Sequence, residues 1–311
     1  MFKERQLKQT ILLLLLIALM YLLLQLLIVK AADTIVKNSP IRFSMIASGQ
    51  IKTNILVLGN SRGVQLLRGE PKAEGYEIFN LAFDSLRRSD ILTLGSEYFR
   101  RSNQANIVAI ELTGLLADGA RCQLKSFWNI IPELKANATE ICKDDILYSK
   151  YFPLTAYNTQ PFRRAASYLL ADSGSDQMRK GAFKKSISDR ICSDVPMTAL
   201  NRFAKEARQV DIQEVMKDLN SFKSELKAIS PSTRVVLILA PFVKTSQSIS
   251  KVNAIIDATA PFENFGDYLD LAHLWPQGCA MFTDPIHLNV SGMKKVRHLL
   301  VKEGLIAGVE Q

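Results

Sequence analysis

The sequence predicts an α/β domain built around a mostly parallel sheet and carried behind one N-terminal transmembrane helix. Three observations predict it. Residues Ile11 to Val29 (ILLLLLIALMYLLLQLLIV) hold no charge, and only Tyr21 and Gln25 interrupt them with polar groups. Farther along, short continuous apolar runs alternate with segments of helical spacing, the pattern of strands buried on both faces and joined by helices. The composition is that of a folded protein, with 48% hydrophobic and 22% charged residues over 311. That balance excludes a wholly disordered chain, and 15 Gly with 11 Pro exclude collagen-like and low-complexity readings. No second apolar run of that length follows the first, which argues against a multi-span transporter.

The apolar run spans about 28 Å as a helix, close to the hydrocarbon thickness of a bilayer. Lys3, Arg5 and Lys8 precede it against one acid, Glu4. Cationic flanks stay cytoplasmic, so everything after Lys30 is expected outside the cytoplasmic membrane. A cleaved signal peptide is the alternative, with Val29-Lys30-Ala31 as its processing site; the run is longer than the usual apolar core of such a peptide. Residues 1–30 are read as a tail and anchor, 31–52, which include Pro40, as a tether, and 53–311 as the α/β domain.

Within that domain the strands are expected at Asn54–Gly59, Tyr76–Ala82, Asn106–Leu112, Arg234–Ala240 and, briefly, Tyr268–Leu271. Ser89–Arg101 has helical spacing with Ser89 as its cap. Ile212–Ile229 is amphipathic and stops before Pro231, and Val290–Glu303 closes ahead of Gly304. Residues 115–200 break this rhythm and are read as an insertion of short helices. They hold three of the four cysteines, Cys122, Cys142 and Cys192, and the fourth is Cys279. An even number of cysteines in an exported domain fits two disulfides in any of three pairings. The short separation of Cys122 and Cys142 favours that pair, leaving Cys192 with Cys279. No CxxC motif is present, which argues against zinc.

The net charge is +9. The first thirty residues contribute three of those charges through Lys3, Arg5, Lys8 and Lys30 against Glu4, and the exported part carries six. This is ordinary solubility charge, with attraction to anionic lipid or glycan as the alternative. Export and the lack of an aromatic-interleaved basic stretch exclude nucleic acid as a partner.

Two segments carry chemistry. After the first strand the chain reads Gly59-Asn60-Ser61-Arg62-Gly63, a serine on a tight turn at a strand's carboxyl end, where ligands bind in such sheets. A serine hydroxyl becomes a nucleophile once a histidine takes its proton. Near the C-terminus Asp284-Pro285-Ile286-His287 places a carboxylate within local reach of an imidazole, able to fix its tautomer and stabilise its charged form. Ser61, His287 and Asp284 are therefore a candidate triad. His273 and His298 are read as structural. Asp84 and Asp90 are read as turn or cap residues. Arg62 stands next to the nucleophile, either beside an anionic group of a substrate or packed against a helix.

These segments, in this order, resemble the SGNH (GDSL-type) hydrolases. Gly59-Asn60-Ser61-Arg62 is similar to the first block of that family, with Asn60 where Asp is commoner. Asn80-Leu81-Ala82-Phe83 resembles the second block, and Asp284 to Gly292 (DPIHLNVSG) the last. The likeness covers roughly residues 54–112 and 234–303. It implies a three-layer α/β/α sandwich with a flavodoxin-like sheet, a Ser61–His287–Asp284 triad and no cofactor. It also implies an oxyanion hole from the Ser61 N–H, the Ala82 N–H at a position usually held by glycine, and a third donor. Ile110-Glu111-Leu112-Thr113-Gly114 departs from the family's third block by lacking its asparagine, so Thr113 is the substitute. Asn60 and Arg62 are expected to line the substrate side.

With one N-terminal span, the chain looks like the membrane-anchored SGNH proteins of cell-envelope polysaccharide systems, such as alginate O-acetylation proteins and the teichoic-acid D-alanyl transfer protein. The resemblance implies a serine acyl-esterase or O-acyltransferase acting on an envelope polysaccharide, with the membrane contacted through residues 11–29. The alternative is a catalytically silent domain that binds glycan or docks onto a multi-span acyltransferase or polymerase. A lipase acting on membrane lipid is a third reading.

Overall fold

The computed structural model describes residues 2–37, 42–47, 49, 51–67, 70–71, 76–118, 122–128, 130–138, 142–144, 147 and 197–305. It divides into two compact units, Met1–Ser44 with Cys122–Asp172, and Met45–Arg121 with Ser173–Gln311.

The first unit begins with the helix Phe2–Lys37. Its stretch Lys8–Thr34, 27 residues containing an 18-residue window of mean hydropathy 3.0, is long and apolar enough to cross a membrane. At about 1.5 Å per residue it reaches about 40 Å, more than the roughly 30 Å of hydrocarbon to be crossed. The helix runs into the segment expected as a tether, and Arg42–Ile46 is helical as well. From the expected insertion, this unit contains the 3-10 helix Cys122–Phe127 and the helix Pro132–Ala138. Cys122 and Cys142 are joined by a disulfide. The pairing of Cys192 with Cys279 lies outside the described residues, as does most of the insertion; among the described residues no cysteine is free.

The second unit is an α/β domain. Its strands are β1 (Lys52–Leu58), β2 (Glu70–Pro71), β3 (Tyr76–Asn80), β4 (Gln104–Glu111), β5 (Arg234–Leu239) and β6 (Tyr268–Asp270). They form one sheet in the order β2-β3-β1-β4-β5-β6. The five strands from β3 to β6 are parallel, and β2 is an antiparallel edge. Ile55 to Leu58 are all buried, as a strand flanked on both sides and covered on both faces requires. Alternate side chains go to opposite faces. Ile55 and Val57 join a core with Val236, Ile238, Val296 and Leu300. On the other face Leu58 lies close to Gly95 and Phe222, from the helices Arg88–Arg100 and Ile212–Ile229.

The expected strands and the helices near 89–101, 212–229 and 290–303 all appear. One cap differs. The helix Arg88–Arg100 starts a residue before Ser89, and Asp90 in its first turn accepts the Arg87 backbone N–H at 3.4 Å. Arg88 then reaches out to Asp118, Glu214 and Asp218, the last at 3.0 Å. Two helices not read from the sequence, Thr198–Gln209 and Ile249–Thr259, pack on one another. A hairpin of β7 (Phe282–Asp284) and β8 (His287–Leu288) precedes the helix Val290–Lys302.

Candidate active site

β1 lies between β3 and β4, so the chain leaves it toward one neighbour and returns on the other. The crevice at the carboxyl end of such a strand is where open α/β sheets bind ligands. Here the β1 turn is shaped by close contacts. Gly59 has φ +149°, and a Cβ there would sit 2.8 Å from Glu111 Cβ. Asn60 is extended and caps the helix Ser61–Leu66, its Oδ1 accepting the Arg62 N–H at 2.9 Å. A cap of this kind satisfies one of the N–H groups left open in a first helical turn. Ser61 is the first residue of that helix. Gly63 lets the turn approach β3's end, since a Cβ there would sit 2.8 Å from Ala82 Cβ.

The second half of the site is the hairpin. Asp284 and His287 pair across it with Pro285 and Ile286 as the turn, the positions where Asp and Pro suit a type I turn. Asp284 Oδ1 accepts the N–H groups of Ile286 at 2.9 Å and His287 at 3.0 Å. Its other oxygen, Oδ2, lies 2.6 Å from His287 Nδ1. Asn289 caps the next helix by accepting the Gly292 N–H at 3.0 Å, and its Nδ2 donates to Ala280 O at 2.8 Å. The hairpin is thereby pinned at both ends.

The two halves meet: His287 Nε2 lies 2.9 Å from Ser61 Oγ across 226 residues of sequence. With the imidazole proton on Nδ1 donating to Asp284, Nε2 accepts the serine O–H. All three side chains are half-buried. Burial pushes the Asp284 carboxyl up, but the hydrogen bond and charge of His287 and the two backbone donors outweigh it and hold it below the usual carboxylate range.

The other expected residues are placed differently. Ala82 is buried, and its N–H donates to Asn80 Oδ1 at 2.9 Å. Thr113 is fully buried; its hydroxyl donates to Glu111 Oε2 at 2.6 Å and accepts from Asn60 Nδ2 at 3.1 Å. Of the three expected oxyanion donors, the Ser61 N–H alone has no partner among the described residues. Asn60 therefore shapes the turn from within, by capping the helix and bonding Thr113. Arg62, next to Ser61 in the sequence and expected on the substrate side, is 2% exposed and turns inward instead. Its Nη2 donates to the carbonyls of Ala240 at 2.5 Å and Pro241 at 2.6 Å. Its guanidinium lies 3.5 Å from the Phe242 ring centroid, and Nε is 3.8 Å from Glu111 Oε1.

Sequence reasoning missed Asn80 and Glu111. Asn80 Nδ2 donates to Gly63 O at 2.9 Å and Leu67 O at 2.5 Å, tying the Ser61 helix to β3. Both carry a legible signal, a polar residue directly after the buried apolar residues at a strand's end. Asp90 is the first-turn acid of its helix. His273 donates its backbone N–H to Asp270 and offers its carbonyl to Lys244, as a structural residue does. His298 lies on the exposed face of its helix. A hollow of about 440 Å³ is lined by Ile256, Glu263, Tyr268, Asp270 and His273 at the edge strand, with none of the triad residues among them. Among the described residues no group of three His, Cys, Asp or Glu could hold a metal ion. No known protein family matches this chain, and no curated protein sequence does.

Proposed function

We propose that the chain is a membrane-anchored serine acyl-esterase or O-acyltransferase of the SGNH type, acting on a cell-envelope polysaccharide outside the cytoplasmic membrane. The observation that carries this reading is the hydrogen-bonded sequence Ser61 Oγ, His287 Nε2, His287 Nδ1, Asp284 Oδ2. The parallel order of strands is that of the flavodoxin-like sheets, with helices on both faces, and supports the family reading. The apolar helix and the Cys122–Cys142 disulfide support export, because disulfides persist in oxidising compartments.

In this reading Ser61 Oγ gives its proton to His287 Nε2 and attacks the acyl carbon of an ester. The carbonyl oxygen becomes an oxyanion facing the Ser61 N–H. The C–O bond to the leaving alcohol breaks, the alcohol takes the proton from Nε2, and the acyl group stays on Ser61. Water or a sugar hydroxyl then loses its proton to Nε2 and attacks the acyl-serine; the acyl–Oγ bond breaks, Nε2 returns the proton to Ser61 Oγ, and the acyl group leaves on the new oxygen. Asp284 holds the Nδ1 tautomer and stabilises the imidazolium in both halves.

A second reading has its own support. The Ala82 N–H and Thr113 hydroxyl are committed to Asn80 and Glu111, which favours a silent domain that binds glycan or docks onto a membrane partner. Losing one oxyanion donor costs about 10²- to 10³-fold in rate. Hydrolysis of p-nitrophenyl acetate separates the two. The enzyme reading expects turnover by the wild type and none above background by Ser61→Ala; equal rates in both leave the silent domain.

A further inference from the structure

We propose that Arg62 is a positioning residue: it fixes the nucleophile turn against the Asp284–His287 hairpin, with Glu111 as its buried counter-charge. The proposal rests on the acyl-transfer reading above. Ser61 and His287 stand on elements far apart in the chain; the Ser61 helix packs on β8 and on the helix Val290–Lys302, and the 2.9 Å contact calls for a further tie at the serine itself. Arg62, one residue after Ser61, supplies it. Its Nη2 grips the Ala240 and Pro241 carbonyls at the end of β5. Two residues farther on, the Val243 N–H donates to Pro285 O at 3.0 Å, the turn of the hairpin itself. Beside that direct packing, a path from Ser61 to His287 runs through one side chain and one backbone hydrogen bond.

Glu111 braces the other side of the turn. Its Oε1 faces Arg62 Nε, while its Oε2 accepts from Thr113, whose hydroxyl oxygen accepts from the Asn60 cap. Both Arg62 and Glu111 are essentially without exposure, 2% and 0%. Taking such a pair out of water is costly, and apolar residues of similar volume would pack there as well. Burial lowers the Arg62 guanidinium to about 10, against the raising effect of Glu111 and Asp284, so it stays cationic at neutral pH and attracts the triad carboxylate.

The test uses full-length protein in detergent and compares Arg62→Met, Arg62→Lys and the double variant Arg62→Met/Glu111→Leu. For each, kcat and KM on p-nitrophenyl acetate are measured beside the melting temperature. A slight displacement of a catalytic group costs up to about a hundredfold. The expected result for Arg62→Met is a ten- to hundredfold loss in kcat with KM within about twofold. Arg62→Lys, which still reaches the carbonyls with a cation, keeps part of the rate. In the double variant no buried charge is left alone, so the melting temperature recovers toward wild type while kcat stays low. Recovery of kcat together with melting temperature overturns the proposal, as does a wild-type kcat in folded Arg62→Met. If Arg62→Met does not fold, Arg62→Lys with an undiminished kcat overturns it.

A readout independent of turnover separates this from the parent reading. The downfield proton resonance of the Asp284–His287 hydrogen bond is expected to shift in Arg62→Lys and in the double variant, and to hold in His298→Ala. A wild type that hydrolyses no ester removes the acyl-transfer reading alone. An unmoved resonance in the folded variants removes the positioning role.

Discussion

Ser61 is placed by neighbours that hold a helix start against the end of β4, and in the proposed mechanism Asp284 matters for the same kind of reason. An asparagine there would keep the shape but offer an amide to Nδ1, favouring the wrong imidazole tautomer. Asp284→Asn is expected to lower kcat by about 10⁴, on the scale seen when a triad carboxylate is neutralised, with the fold intact by circular dichroism. The same residue sets a pH dependence. Its carboxyl is held below the usual range in the folded chain, so its contribution to stability is fully present above the unfolded value near ~4 and is lost as pH falls through the lower folded value. Melting temperatures measured from neutral to acid pH should fall less steeply in that window for Asp284→Asn than for wild type. An equal fall assigns the acid sensitivity to other carboxylates. The meeting of Ser61, His287 and Asp284 was legible because Asp-x-x-His and Gly-x-Ser are local patterns whose chemistry is carried by three residue types. The inward turn of Arg62 was not, because it depends on carbonyls 178 and 179 positions away.

Among the elements, the hairpin 282–288 and the helix behind it act as one part. Asn289 closes that helix and also donates to Ala280 O, so it joins the strand entering the hairpin to the helix leaving it. Asn289→Ala removes a cap worth about 1 kcal/mol and leaves the Ala280 carbonyl without its donor. Chemical denaturation should show a loss of about 1–3 kcal/mol, together with slower ester hydrolysis; an unchanged midpoint means the hairpin is held from elsewhere. The long periodic segments were readable: Ile212–Ile229 has its Asp211 cap and its apolar stripe in plain order. Ile249–Thr259 was not read as a helix, because Ile, Val and Thr are as common in strands and blur its spacing. β7 and β8 are three and two residues long, too short for a period of two to show. The continuous apolar runs of β1, β4 and β5 were the clearest signal, since strands covered on both faces carry few polar residues.

For the whole molecule, the apolar helix and the disulfide support the exported location that the proposed function assumes. Cys122 and Cys142 are separated by 20 residues, and closing a loop of that size removes about 3 kcal/mol of unfolded-state entropy. Replacing both by serine should destabilise the first unit by about that amount, read as earlier proteolysis around residues 122–142 while the α/β unit keeps its melting transition. Equal protease resistance in both proteins means the bridge adds nothing to the fold. The central claim, that Ser61 is activated by His287, is tested most directly by covalent trapping. Full-length protein incubated with a fluorophosphonate and digested for mass spectrometry should carry the phosphonyl group on the Ser61 peptide, with labelling slowed strongly in His287→Ala and abolished in Ser61→Ala. Labelling of the wild type no faster than of His287→Ala, or on a serine other than Ser61, contradicts it.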